Sequence, residues 1–343
     1  MSTLVPLSAF GSPVLAAMAM ESQPSMWVDV FMQQLTTGLS NGMIIALIAI
    51  GYTMVYGIIE LINFAHGDLC TLGSFLALTL VGLLGMDAWT GLPGVGGVVL
   101  LLVSCALFCA SLNWVIDRVF YRPLRQAPKL TLLVSAIGCS FILVNVALFW
   151  GGIPMEVFGG GVAAAAPKDF PALVSDENLL GATAKMSFTM SDLLVVCVTL
   201  PLMVALTMLI RFTRLGKAMR AVAQNPTAAS LMGIDVDRVI GATFLIGGAI
   251  GGFASVIYAL YNNTISFQMG YRTGMDAFTA AVLGGIGSMP GAVVGGLLIG
   301  VARALSDGYI EARWTNSVVF GILILTLVFR PSGLLGAKLR DKV

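Results

Sequence analysis

The sequence predicts an all-α, polytopic helical membrane protein with about eight membrane segments, and two observations carry that reading. The chain is 58% hydrophobic and only 10% charged, with a mean hydropathy of +0.95, well outside the range of soluble globular domains. Its apolar residues also fall in long blocks, roughly 37–59, 69–86, 94–116, 130–150, 190–210, 239–260, 277–302 and 317–329. Most of these approach or reach the roughly 20 residues that a helix needs to cross a bilayer. A net charge of +1 leaves no basic footprint for nucleic acid. The five cysteines, Cys70, Cys105, Cys109, Cys139 and Cys197, all lie inside apolar blocks and form no CxxC pair. They read as small core or lipid-facing residues rather than as metal ligands or disulfides.

Residues 1–26 are apolar and rich in Ala and Met, with no Lys or Arg ahead of the hydrophobic part. That argues against an ordinary secretory signal. The expectation is an N-terminal extension at 1–26, followed by a single transmembrane domain at 27–343. The first two blocks are separated by a polar cluster, Glu60, Asn63, His66, Gly67 and Asp68. Counting back from the next connector places this cluster near the cytoplasmic end of two crossings, with the N-terminus outside. A half-helix over 63–75 dipping into the membrane would put the N-terminus inside instead. Ionisable groups within a span are costly and mark functional positions. Asn63, His66 and Asp68 are therefore candidates for a proton relay, for a gate on a translocation path, or for a satisfied turn that orders the following helix.

Basic residues set the orientation. Arg118, Arg122, Arg125 and Lys129 crowd one connector, with Asp117 the acid among them. Arg211, Arg214, Lys217, Arg220 and Arg238 crowd a second, and Arg330, Lys338, Arg340 and Lys342 the C-terminal tail. These three places hold thirteen of the eighteen Lys and Arg residues, which marks them, and the C-terminus, as cytoplasmic. The long connector at about 151–190 carries Glu156, Asp169, Asp176 and Glu177 against Lys168 and Lys185 and faces outward.

Between 261 and 316 the chain must then begin and end outside. Its apolar part reads as two half-length helices, about 274–285 and 291–305, that enter from outside and turn back at Gly284, Gly285, Gly287 and Pro290, with Ser288 at the turn. Such breaks are tolerated where backbone lines a protein cavity. The alternative is one kinked helix with a parity error elsewhere. With an interruption in each half, the pattern suggests a transporter built from two repeats. Gly247, Gly248, Gly251 and Gly252, and Gly291, Gly295, Gly296 and Gly300, form GxxxG pairs of the kind that seat one membrane helix against another.

The segment 213–238, TRLGKAMRAVAQNPTAASLMGIDVDR, is a polar, basic island that reads as two short helices. Asn225 supplies an N-cap, Pro226 a first-turn proline and Gly233 a stop. Catalytic signals are missing. His66 is the single histidine, with no nucleophile motif beside it. The Gly216-Lys217 step is followed by alanine rather than Ser or Thr, so no Walker A motif is present. The run Gly285-Ile-Gly287-Ser-Met-Pro290 lacks the last glycine of a dinucleotide fingerprint. No catalytic or metal-binding residue is expected, and no cofactor.

VDVFMQQLTTGLSNGMIIALIAIGYTMVYGII, INFAHGD, VFYRPLR, LGKAMRAVAQNPTAASLMGIDVDRVI and AFTAAVLGGIGSMPGAVVGGLLIG follow one another here. From about residue 27 onward the chain resembles the membrane permease subunits of bacterial branched-chain amino acid ABC importers. The likeness is greatest to the subunit that pairs with a second, distinct permease. The resemblance implies a non-catalytic channel half in the inner membrane. Its partners would be that second permease, two cytoplasmic subunits that bind ATP and Mg, and an external solute-binding protein. It also implies that the loop 215–238, with Gly216, Arg220, Ala221 and Gly233 at recurring positions, is the element that sits on an ATPase. Glu60 departs from the small residue found at that place in relatives, and residues 1–26 have no counterpart. Urea and short-chain amide importers share the architecture, and Phe64 leans toward the amino acid branch. A proton- or sodium-driven carrier would need membrane acids in both halves, and the second half offers Asp276 alone.

Overall fold

The computed structural model describes residues 24–59, 63–86, 92–125, 127–174, 177–181 and 186–336. Of the extension expected at 1–26, only the last three residues fall within them, and they already belong to the first helix. Eleven α-helices are described: α1 (Pro24–Ile59), α2 (Ala65–Leu84), α3 (Leu92–Ile116), α4 (Lys129–Gly151), α5 (Met190–Phe212), α6 (Arg214–Gln224), α7 (Pro226–Leu231), α8 (Val236–Asn262), α9 (Met269–Gly284), α10 (Met289–Tyr309) and α11 (Thr315–Phe329). Seven of them, α1 to α5, α8 and α10, are long and apolar enough to cross a membrane, and α11 is a shorter apolar helix. The fold is an all-α polytopic membrane bundle, as the sequence predicts.

Helix α1 begins well before the apolar block expected at 37. The earlier turns mix apolar residues with Asp29, Gln33 and Gln34, and some of these groups find partners. Gln33 accepts from the Ser187 amide at 2.7 Å, and Trp27 stacks on Tyr309 at 6.1 Å. The Gln33 contact also places the start of α1 at the same end of the bundle as the connector 151–189. That connector is held in place by β1 (Lys168–Asp169), which pairs antiparallel with β2 (Thr264–Ile265). The buried Lys168 ammonium donates to the carbonyls of Phe158 at 2.8 Å and Ala163 at 3.1 Å. Helix α5 then starts on a capping box, Thr189 with Asp192.

Glycine seams make the core. A Cβ on Gly248 would lie 2.9 Å from the Ala110 Cα, and one on Gly252 2.6 Å from the Ala106 Cα, so α8 lies backbone to backbone on α3. Gly300 faces Gly38 and Gly42, and Gly296 faces Ala46, which joins α10 to α1 in the same way. The predicted GxxxG stripes are packing seams.

The hairpin α9–α10 corrects the two-half-helix reading. The break falls at Gly285–Ser288 as expected, but the second arm is 21 residues long and of spanning length. Ser288 accepts from the Gly291 amide at 3.2 Å, with Pro290 in the first turn, so α10 starts early. Arg303 pairs with Asp276 of α9 through both carboxylate oxygens, at 2.7 and 2.8 Å, which lets α10 continue past a charge. The tip does not turn back halfway either. The Leu334 amide donates to the Leu283 carbonyl at 2.8 Å and that of Leu335 to Gly284 at 2.9 Å. The tip therefore lies at the end of the bundle where α11 terminates.

Candidate functional site

Three places gather the candidate residues. The first is the helix pair α6–α7. The Thr213 side chain caps α6 on the Gly216 amide at 3.1 Å, and the Asn225 side chain caps α7 on Ala228 at 3.0 Å with Pro226 at its first position. Gly233 has φ +81, a left-handed stop. Gly216, Met219 and Val222 recur every third residue on the buried face of α6, and Lys217 and Arg220 point outward. Gly216 is a glycine because a side chain there would collide with the Ile210 backbone. Ala221 is half-buried beneath the pair. Arg220 ties back to the Arg211 carbonyl at 3.4 Å. Two residues missed by sequence reasoning stand out here: Leu231 is 83% exposed and Met232 82%. An adjacent apolar pair at the free end of a polar helix was the available signal.

The second place is the start of α2. Asn63, His66 and Asp68 are all buried, His66 completely. This corrects the placement of His66 at the cytoplasmic boundary, while Asn63 stays beside Tyr121 of the basic connector. The imidazole lies against Gly51 of α1 and, at 3.6 Å from a Cβ built on it, Gly251 of α8. Gly51 stands eight residues before the end of α1 and Gly251 fifteen residues into α8, about 12 and 22 Å along the helix axes. His66 also meets Tyr52 edge-on at 4.9 Å. Both its ring nitrogens are buried with no hydrogen-bond partner among the described residues, as are Asp68 Oδ1 and Thr71 Oγ1. The other carboxylate oxygen of Asp68 accepts from Ser140 of α4. Glu60 lies outside the described residues. The cluster does not form one site: His66 turns toward α1 and α8, and Asp68 toward α4.

What the start of α2 does meet is the start of α9. A Cβ on Gly67 would lie 2.9 Å from the Gly274 Cα, and one on Gly270 2.7 Å from the Asp68 Cα. The Tyr52 hydroxyl sits beside Gly274. Two helix N-termini, with their positive dipole ends, thus converge inside the bundle.

The third place is the α9–α10 tip. Gly285 (φ +106) and Gly287 (φ +88) are both left-handed. Gly285 is pressed against the backbone of Ser332–Gly336, whereas a Cβ on Gly287 would meet nothing within 4 Å. Beside the tip, Tyr52, Thr53, Tyr56, Phe278, Ala281 and Ile286 line a small crevice. Among the described residues no group of three or more His, Cys, Asp or Glu side chains could hold a metal ion.

A bundle with seven helices long and apolar enough to cross a membrane, and a capped helix pair at one end, fits the class of polytopic membrane permeases. The chain belongs to the family described as the permease component of the branched-chain amino acid transport system, which it matches over residues 34–328. It is 40% identical over 319 residues to the high-affinity branched-chain amino acid transport system permease protein LivH of Salmonella typhimurium, covering 91% of this chain and 98% of that one. It is also 40% identical to the permease protein BraD of Pseudomonas aeruginosa over 324 residues, with the same coverage. A more distant relative is the permease protein LivM of Escherichia coli, 23% identical over 85% of this chain and 68% of that one. No solved structure matches it.

Proposed function

We propose that this chain is the non-catalytic permease subunit of an ATP-driven importer of branched-chain amino acids. Near-complete alignment at 40% identity with relatives named as high-affinity branched-chain amino acid permeases carries the reading. Residues 27–343 form the permease domain, in the inner membrane, with the basic connectors and the C-terminus on the cytoplasmic side. A distinct second permease completes the pore. Kinship with both LivH and LivM, two permeases of one named transport system in Escherichia coli, supports that pairing. ATP and Mg are held by two cytoplasmic ATPases, and an external binding protein delivers the solute.

The geometry supports a division of labour. The pair α6–α7 offers an exposed apolar knob, Leu231–Met232, and the outward charges of Lys217 and Arg220, suited to an ATPase groove. Asn225, Pro226 and Gly233 keep that knob rigid, and Gly216 and Ala221 seat it on the bundle. The path runs past the converging starts of α2 and α9, where two helix dipoles can attract a carboxylate in passing while small residues leave no tight pocket. Asn63, His66 and Asp68 position this point, and Gly285, Gly287, Ser288 and Pro290 form its cytoplasmic edge. The charge of Asp276 is matched by Arg303, which speaks against Asp276 as the coupling acid of an ion-driven carrier.

The test is uptake by the whole complex in sealed vesicles. Leucine, isoleucine and valine should compete with one another and urea or acetamide should not. Uptake should require ATP and survive a protonophore. Loss of uptake on adding the protonophore while ATP is held constant would overturn the proposal.

A further inference from the structure

Two basic connectors far apart in the chain meet on one carboxylate. Asp237, in the first turn of α8 just after the α6–α7 pair, accepts from Arg122 at 2.7 Å and from Arg125. Arg125 turns its other amino group to Asp117 at 2.6 Å. Asp117 opens a π-helical turn, Asp117–Tyr121, at the end of α3. The last residue of that turn, Tyr121, is buried, its ring 5.3 Å from Phe244 of α8, and its hydroxyl donates to Asn63 Oδ1 at 2.9 Å. The Asn63 carbonyl accepts the His66 amide at 3.1 Å and so sets the first turn of α2. Asn113 of α3 braces this end, donating to the Phe244 carbonyl at 2.6 Å. From Asp237 to Asn63, each step between side chains is an ion pair or a hydrogen bond.

We infer that Asp237, Arg125, the π-turn and Tyr121 form a positioning relay. It carries displacement of the α6–α7 pair to Asn63 and thereby shifts the start of α2 against α9. This inference rests on the ATP-driven reading proposed above. The π-turn suits the task because it is a single-turn bulge in an α-helix, of the kind found at functional sites, that can tighten to an ordinary α-turn. Losing its extra residue would swing Tyr121 by about 100° around α3, which breaks or makes the bond to Asn63. The outer pair, Arg122 with Asp237, is 39% and 46% exposed and adds little to the fold, so a role in transmission accounts for it better than a role in stability. Arg125 and Tyr121 touch no candidate path residue except through Asn63, and they act by position.

The experiment compares uptake with ATP hydrolysis in the assembled importer, with ATPases, second permease and binding protein, in sealed vesicles. Tyr121→Phe removes one hydroxyl and keeps the ring. The variant complex should retain its ATPases and hydrolyse ATP near the unsubstituted rate, while uptake per ATP falls about tenfold, within the usual span of a coupling between sites. Arg125→Gln should lower the same ratio and Arg125→Lys should restore most of it. The double variant, Tyr121→Phe with Arg125→Gln, should fall no further than the worse single one. An unchanged ratio in Tyr121→Phe, loss of its ATPases, or a double variant that multiplies the single effects would overturn the relay. Uptake without ATP by the unsubstituted complex would overturn the ATP-driven reading itself, a result that can be told apart before any variant is compared.

Discussion

The imidazole of His66 occupies the space into which any side chain on Gly51 would project. The glycine of α1 and the histidine of α2 are thus a matched pair in the middle of the bundle. Gly51→Ala should force the ring aside and lower stability by about 1–3 kcal/mol, the usual cost of overpacking. Adding His66→Ala opens the space again, so the double variant should be more stable than the sum of the single effects predicts. Thermal unfolding in detergent measures both, and a Gly51→Ala protein with an unchanged midpoint would contradict the packing described. His66→Ala alone leaves no described partner unsatisfied, so its cost is the lost ring packing.

The exposed pair Leu231 and Met232 makes a sharp prediction for the cytoplasmic element. Changing both to Asp should abolish co-purification of the ATPases and leave the yield and thermal midpoint of the permease unchanged, since neither side chain packs on the bundle. Arg220→Glu should weaken association by about 1 kcal/mol or less, as a single surface charge does. Gly233→Pro demands a φ near −65° where the chain holds +81. It should uncouple uptake from hydrolysis in a protein that still inserts. Full uptake in that variant would sink the coupling assignment.

At the α9–α10 tip the two left-handed glycines should respond differently. Gly285→Ala adds strain of about 1–3 kcal/mol and also collides with the backbone of residues 332–336, so it should free the C-terminal strap to added protease. Gly287→Ala pays the strain alone and should leave the strap protected. Equal protease sensitivity in the two would refute the docking of that strap. A cysteine at Ser288, half-exposed here, should be labelled by a small polar thiol reagent if the tip borders an aqueous path.

The pair Asp276–Arg303 is mostly buried, so removing one partner strands a charge. Arg303→Met should cost about 3–5 kcal/mol, and joint replacement by Arg303→Met with Asp276→Leu should recover most of it. The readout is again the thermal midpoint. A double variant no better than Arg303→Met would show that the pair does more than neutralise itself.

The class of fold and the helix pair at 213–238 were legible because their signals are local. Block length marks a span, and Asn225, Pro226 and Gly233 mark a cap, a first turn and a stop within nine residues. The GxxxG seams were legible for the same reason. The lengths of α1 and α10 were not. Gln33 and Arg303 look like reasons to stop a helix until Ser187 and Asp276, far away in the chain, are seen to satisfy them. The depth of His66 escaped for a related reason. It depends on Gly51 and Gly251, whose missing side chains leave no mark in a hydropathy profile. The Asp117–Arg125–Asp237 network was visible only as a lone acid among bases, a hint without an address.

The contact between α1 and α10 bears on how the chain is made. The glycines that join them, Gly38 and Gly42 with Gly296 and Gly300, are separated by about 250 residues. At a synthesis rate of about 5–20 residues per second, the first helix waits roughly 12–50 seconds for its partner to emerge. During that interval its small-residue stripe has only lipid or transient neighbours to lie against. Nascent chains arrested before residue 289 should therefore show α1 open to cross-linking with other membrane segments, and that reactivity should vanish once α10 has been inserted.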